Sequence, residues 1–225
     1  MVPQLGAPGV SAHLVLKRCG FRVIFGPVRV EHLPAFLDAG MVAGPEMRRV
    51  RFDLRDRVVL VPVELVMGAK NVLLLAAAIL LLSGLGLHGY SLARVRAMGL
   101  PGAGLILGSF ICAAVLGPTL LPWLPGRAFS IKGAALGLAQ AGAWVVVDRL
   151  WLGASLSWLH TAAWMLIVTA LNSFVVMNFT GASTHTSLSG VVREMRFAVP
   201  AQIAGAVVGF GLWLTGLFVR AGSGA

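Results

Sequence analysis

Two stretches concentrate glycine and proline where a backbone has to come close to something. Pro3-Gln4-Leu5-Gly6-Ala7-Pro8-Gly9-Val10 follows a short strand-like start and leads into a helical pattern, and Gly26-Pro27-Val28 closes the next strand-like run, Phe21 to Phe25. Glycine at such a point lets main chain approach a ligand with no side chain between them, and open α/β sheets bind ligands beyond the carboxyl ends of adjacent strands. Gln4, Leu5, Gly6, Ala7, Pro8, Gly9 and Val10, with Gly26, Pro27 and Val28, therefore form a candidate cofactor edge. A pair of structural turns accounts for the same residues equally well.

Other chemistry-bearing residues are sparse. Cys19 and Cys112 lie in different contexts, so a mutual disulfide is not expected, and Cys19 beside Gly20 reads as a buried structural cysteine. The five histidines, at 13, 32, 88, 160 and 185, show no metal-ligand spacing with either cysteine, so no metal site is expected. Asp148 adjoins Arg149 at a helix end and reads as an interfacial ion pair, with His88 and His160 also near the ends of apolar runs. The paired carboxylates and broken helices of an ion-coupled transporter are missing from these runs.

The elements that must carry these residues are mostly membrane helices. The 225 residues are 58% hydrophobic and 12% charged, with mean hydropathy +0.88, far from the composition of soluble domains. Net charge is +10, and Met1 to Lys70 hold ten Lys/Arg against six Asp/Glu. In a soluble chain that excess would suggest nucleic acid; beside apolar runs it faces the anionic headgroups of a lipid bilayer, and no nucleic-acid partner is expected.

Spans are predicted at about 71–90, 100–123, 133–152, 155–177 and 197–219, each long enough to cross a hydrocarbon core of roughly 30 Å. No cleavable leader pattern is recognisable, so the first span is expected to direct insertion, and the arginine-rich run before it predicts a cytoplasmic N-terminus in a prokaryotic inner membrane. Glycine pairs at four-residue spacing, Gly104/Gly108, Gly133/Gly137 and Gly205/Gly209, predict close helix packing inside the bundle. The six tryptophans read as an interfacial belt. Met177 to Ser187 reads as a hydroxyl-rich loop on the same side as the N-terminus.

Residues 1–68 read as a partial α/β, Rossmann-like domain, and residues 69–225 as an all-α bundle of five transmembrane helices. Ser11 is placed as an N-cap for a helix through Arg18 that Gly20 stops, and Glu31 to Ala39 is a second helix ahead of Gly40. Phe21 to Phe25 is predicted as a strand, with a further strand pair at Arg48 to Leu54 and Arg57 to Val63. The segment is short for a complete sheet domain and opens as though in the middle of one, so the remainder is expected upstream of Met1 or on another chain.

Four stretches carry a family resemblance: PQLGAPGV at 3–10, GFRVIFGPVRVEHLPAFLDAG at 20–40, PEMRRVRFDLRDRVVLVPVEL at 45–65 and NFTGASTHTSLSGVVREMRFAVP at 178–200. Together they resemble the C-terminal portion of the mercury-methylating corrinoid protein family. The first part is also similar to the corrinoid-binding domain of the corrinoid iron–sulfur protein of acetyl-CoA synthase/CO dehydrogenase. The resemblance implies a corrinoid (cobalamin-type) cofactor held by the loops at 4–10 and 26–28, and methyl transfer to Hg(II). It further implies a ferredoxin-like iron–sulfur electron donor and an upstream methyl-donor protein as partners.

The family's cap-helix motif, Asn-Val/Ile-Trp-Cys-Ala-Ala/Gly-Gly-Lys, is not found in this sequence. Neither Cys19 nor Cys112 takes the cobalt-ligand role, and the chain alone is expected to be inactive and not to retain a corrinoid. Two other readings stand beside this one: a membrane anchor or small transporter subunit without cofactor, and a C1-pathway corrinoid subunit of the acetyl-CoA synthase type.

Overall fold

The computed structural model describes residues 1–49, 53–152, 157–182 and 188–222. It divides into two compact units, Met1–Arg51 and Phe52–Ala225.

The first unit is built of short helical pieces. A 3-10 turn spans Gln4–Gly9, α1 spans Ala12–Cys19, a 3-10 turn at Val30–His32 runs into α2, Leu33–Asp38, and a further 3-10 turn covers Pro45–Arg48. The boundaries of α1 read from sequence hold here, although the Ser11 hydroxyl makes no capping hydrogen bond and lies 3.1 Å from His13 Nδ1. Ser11 is the extended residue before α1, and Gly20 ends α1 in the left-handed conformation at φ 70°, its N–H bonded to the Leu16 carbonyl. Gly40, at φ 68°, stands in the turn after α2.

The strands do not form among the described residues. Phe21 to Phe25 contributes one isolated parallel bridge, Val2 with Phe25, and Gln4–Gly9 winds into 3-10 turns where a strand end and open loop were predicted. The predicted strand at Arg57 to Val63 is helical at both ends: α3 spans Leu54–Val58 and α4 spans Val61–Ser83. Its partner at Arg48 to Leu54 lies partly outside the described residues. A short apolar run reads alike as buried strand or helix, and Pro62 decides this one: in the first turn of α4 its missing N–H has no helical partner to lose.

Five helices of the second unit are long and apolar enough to cross a membrane. They are α4; α6, Leu100–Leu120; α7, Phe129–Val147; α8, Trp158–Ala182; and α9, Leu188–Gly222. The first span is shifted from its expected place. The apolar run continues to Tyr90, but helix α4 ends at Ser83, because Gly84, Gly86 and Gly89 follow it and Gly89 adopts φ 94°. Beyond that turn, α5, Leu92–Arg94, and a π turn at Val95–Gly99 lead into α6. The widened turn lies just before Pro101, whose ring displaces the carbonyl four residues earlier.

Helix α8 is the centre. It packs against α6, α7 and α9, while α4 packs against α6 and, among the described residues, α9 has α8 as its principal neighbour. A Cβ at Gly133 of α7 would lie 2.5 Å from the Asn172 carbonyl oxygen of α8, and one at Gly137 would lie 2.7 Å from the Thr169 Cα. A Cβ at Gly209 of α9 would lie 3.0 Å from the Ala163 carbonyl oxygen. Gly104 and Gly108 depart from expectation, with nothing within 4 Å of either; Gly102 takes the packing role, 2.9 Å from the Trp164 ring. Four-residue spacing puts two glycines on one face but does not say which face a neighbour covers.

Tryptophan placement also differs from the expected belt. Trp123 and Trp158 are 74% and 78% exposed near helix ends, whereas Trp164 and Trp213 are buried at the α8–α9 seam. Trp164 Nε1 donates to His160 Nε2 at 3.0 Å. The Trp164 and Trp213 rings meet edge-on with centroids 6.5 Å apart, and Phe210 stacks on Trp213 at 5.5 Å. Asp148 is buried while Arg149 is exposed, so these sequence neighbours face apart instead of forming the expected interfacial pair.

The α7–α8 seam generates a direct expectation. Gly133→Leu should lower the unfolding stability of the detergent-solubilised protein by about 3 kcal/mol or more, since backbone cannot yield as a side chain does. Gly104→Leu should leave it within about 0.5 kcal/mol. Thermal or denaturant unfolding of the two variants side by side checks the assignment.

Candidate functional site

In the first unit the Val2–Phe25 bridge brings the two glycine-containing stretches together. The Val2 N–H donates to the Ile24 carbonyl and the Gly26 N–H donates to the Val2 carbonyl, both at 2.9 Å. Because the pairing is parallel, the chain leaves both segments in the same direction, and Gln4–Gly9 and Gly26-Pro27-Val28 emerge from the same end.

From there the two stretches differ. Gly26 and Pro27 are buried, a Cβ at Gly26 would lie 3.4 Å from Met1 Sδ, and the Val28 N–H donates to the Met47 carbonyl at 2.9 Å. Gln4, Leu5, Gly6, Ala7 and Pro8 form the 3-10 turn, in which a Cβ at Gly6 would meet Val2 Cγ1 at 3.2 Å. Gly9 and Val10 open on a groove of about 340 Å³ lined also by Leu14, Val15, Arg18 and Cys19 of α1. Cys19 is exposed there, not buried as its sequence context suggested, because α1 buries none of its own residues.

A Cβ at Gly9 would have nothing within 4 Å, so the backbone is free to lie against a ligand. Among the described residues no cluster of three or more His, Cys, Asp or Glu could hold a metal ion. The backbone at Gly9 is open beside the groove, and the exposed Cys19 is the one side chain of metal-ligating type among the residues lining it.

The second unit holds a polar cluster that sequence reading missed. Ser130 on α7, Ser173 and Asn172 on α8 and Gln202 on α9 are all buried. Ser173 Oγ donates to the Ser130 carbonyl at 2.9 Å and accepts from Gln202 Nε2 at 2.9 Å. Asn172 Nδ2 donates to Gln140 Oε1 at 3.2 Å and to the Val168 carbonyl at 2.9 Å. These are uncharged residues scattered singly through apolar runs, and a search for ionisable groups passes over them. Asn172 and Ser173 lie against Gly133 and Gly137, where α7 and α8 backbones touch, and Gln202 joins them from α9 through Ser173.

The same end of the bundle is tied by charged side chains acting on helix termini. The Ser130 N–H, in the first turn of α7, donates to Glu194 Oε1 of α9 at 2.7 Å. The α7 N-cap residue is Ala128, which has no capping group of its own, so Glu194 caps the helix from outside and faces its positive dipole end. Arg57 is buried and donates through Nη1 to the Pro118 carbonyl at 3.1 Å and the Thr119 carbonyl at 3.4 Å, at the C-terminal turn of α6. Lys132 Nζ donates to the Leu121 carbonyl just beyond that turn. Asn178 Nδ2 joins α8 to Glu64 Oε1 of α4 at 2.9 Å. Asn178 belongs to α8, so Met177 to Ala182, predicted as loop, continues the helix, and 183–187 lie outside the described residues.

Removing the external cap should be measurable. Glu194→Ala is expected to cost about 1 kcal/mol of unfolding stability, while Glu194→Gln, which keeps an acceptor oxygen, should cost less than half of that. Unfolding in detergent compares the two. No family model matches the chain, and no curated protein or solved structure shows a significant similarity to it.

Proposed function

We propose that this chain is the membrane-embedded part of a corrinoid-dependent methyl-transfer protein, with its first unit contributing one rim of the corrinoid pocket. The observation that carries the reading is the parallel Val2–Phe25 pairing, which sends both glycine-containing stretches out of one end, with Gly9 open to a ligand's edge. The four stretches that resemble the mercury-methylating corrinoid family support it, and with them Hg(II) as methyl acceptor. When bound, a corrinoid supplies the cobalt-centred methyl chemistry; the protein orients it and controls its axial position. This sequence has no Asn-Val/Ile-Trp-Cys stretch, so the family's ligating cysteine has no counterpart in it.

The partial α/β character proposed for the first unit belongs to the same reading: the single parallel bridge is the start of a sheet that further strands from outside this sequence would complete. The unit is placed on the cytoplasmic side. Supporting this, Arg55, Arg57, Arg127, Lys132, Arg193 and Arg196 belong to the end of the bundle where α4, α7 and α9 begin and α6 ends, against Arg94, Arg96, Arg149 and Arg220 at the other. A ferredoxin-like reductant and a methyl-donor protein would then reach it from that side.

The test uses the protein as isolated from its native membrane with its partners. A corrinoid absorption spectrum should accompany the chain, and Gly9→Trp should reduce corrinoid content roughly tenfold or more while leaving unfolding unchanged, since the added ring fills only ligand space. A native preparation with no corrinoid would favour the anchor reading. Gly26→Trp is not diagnostic, because burial beneath Met1 makes it a folding variant. A phosphatase reporter fused after Ala225 should be active and one fused before Met1 inactive; the reverse pattern would reverse the orientation.

A further inference from the structure

A cavity of about 810 Å³ lies among α7, α8 and α9, on the face of α8 that neither neighbour closes. Its walls are apolar for most of their area, with Ile131, Ala134, Leu166, Ala170 and Phe197 among them. The mouth and floor are not. Arg127 and Arg193 stand at the mouth with Glu194, both arginines exposed. The Glu194 carboxylate is engaged by the Ser130 N–H, so two cations face one carboxylate already committed to a helix end.

Thr169 and Gln202 border the floor, but Gln202 Oε1 and Thr169 Oγ1 are themselves closed off from the cavity and buried in the packed helices. Their orientation follows from the hydrogen-bond chain. Ser173 spends its one proton on the Ser130 carbonyl, so it can only accept from Gln202, which turns the Gln202 NH₂ toward it and leaves the Gln202 carbonyl oxygen unmet. The occupant therefore needs two chemistries in order from the membrane surface inward: an anion and an apolar chain.

We propose that this cavity binds one anionic glycerophospholipid, its phosphate between Arg127 and Arg193 and one acyl chain laid along the gap between α7 and α9. The volume is within the range of small-molecule sites, roughly 300–1,000 Å³, and holds one chain, not a whole bilayer defect. The site is a separate one from the corrinoid rim, and its test does not depend on that reading.

The experiment is native mass spectrometry of the full chain taken from nanodiscs of phosphatidylcholine containing a minor fraction of phosphatidylglycerol. One phosphatidylglycerol should stay bound through detergent exchange. The Arg127→Gln/Arg193→Gln double variant should lower its retention roughly thirtyfold, from about fivefold for each arginine. Gly205→Phe tests the chain position with charge unchanged: Gly205 borders the cavity, and its only neighbour within 4 Å is Ala170 Cβ at 3.8 Å. The added ring should fill the cavity and abolish retention with unfolding preserved. Equal retention of phosphatidylcholine, failure of the parent chain to retain lipid, or unchanged retention in the Gly205→Phe variant would overturn the proposal. Displacement of the lipid by millimolar inorganic phosphate would assign the arginines to a free phosphate and overturn it as well.

Discussion

Everything in the membrane unit depends on how closely α7 and α9 approach α8. Hydrocarbon outside a bundle is as apolar as leucine inside it, so burying leucine against leucine gains little, and helices associate through dispersion at short range and through polar contacts that short range allows. Glycine at 133, 137 and 209 provides that range by letting helix backbones touch, with Asn172, Thr169 and Ala163 as the main-chain partners. The buried chain from Ser130 through Ser173 to Gln202 exists because of it: serine side chains are too short to reach across an ordinary helix spacing of 8–10 Å.

The helix termini obey a second constraint. Four carbonyls or four N–H groups at each end of a helix have no partner within it, and near the hydrocarbon boundary water cannot be relied on to meet them. This chain meets them with side chains from other helices: Arg57 on α6, Glu194 on α7 and, at the opposite end, Arg94, which donates to the Leu85 and Gly89 carbonyls of the turn after α4. Each contact both satisfies an orphan group and fixes the height of one helix against another. The charges that make the chain basic are in this sense spent on registration as well as on the lipid surface.

The sequence made the five spans legible because composition alone decides them, and it made α1 legible because Ser11 and Gly20 punctuate it. It misled where the deciding term is tertiary or sits in a single residue. The first span begins ten residues before the uncharged run at 71, because α4 carries Glu64 and Lys70 within it, and the glycines at 84, 86 and 89 end the helix early. Arg57 to Val63 carried strand-like residues, and Pro62 together with the pull of Arg57 toward the α6 carbonyls made it helical. At the candidate site, the closeness of residues 2–6 and 24–26 followed from the strand-like reading even though no strand develops there. The burial of Gly26 and Pro27 did not follow, because it depends on where Met1 falls. Gln202 and Ser173 were invisible for a different reason: nothing in an apolar helix marks one glutamine as facing a neighbour instead of lipid.

The central position of α8 bears on biosynthesis. Helices α4 and α6 pair with each other, but α7 has its principal seam on a helix that follows it in the chain, and α9 has its seam on one that precedes it. As the chain emerges, α4 and α6 can settle as a hairpin, α7 must wait in lipid with Gly133 and Gly137 uncovered, and the arrival of α8 closes its seams with α6 and α7 together. Assembly is therefore stepwise, with one decisive event after the fourth span and a final docking of α9 onto a surface already built.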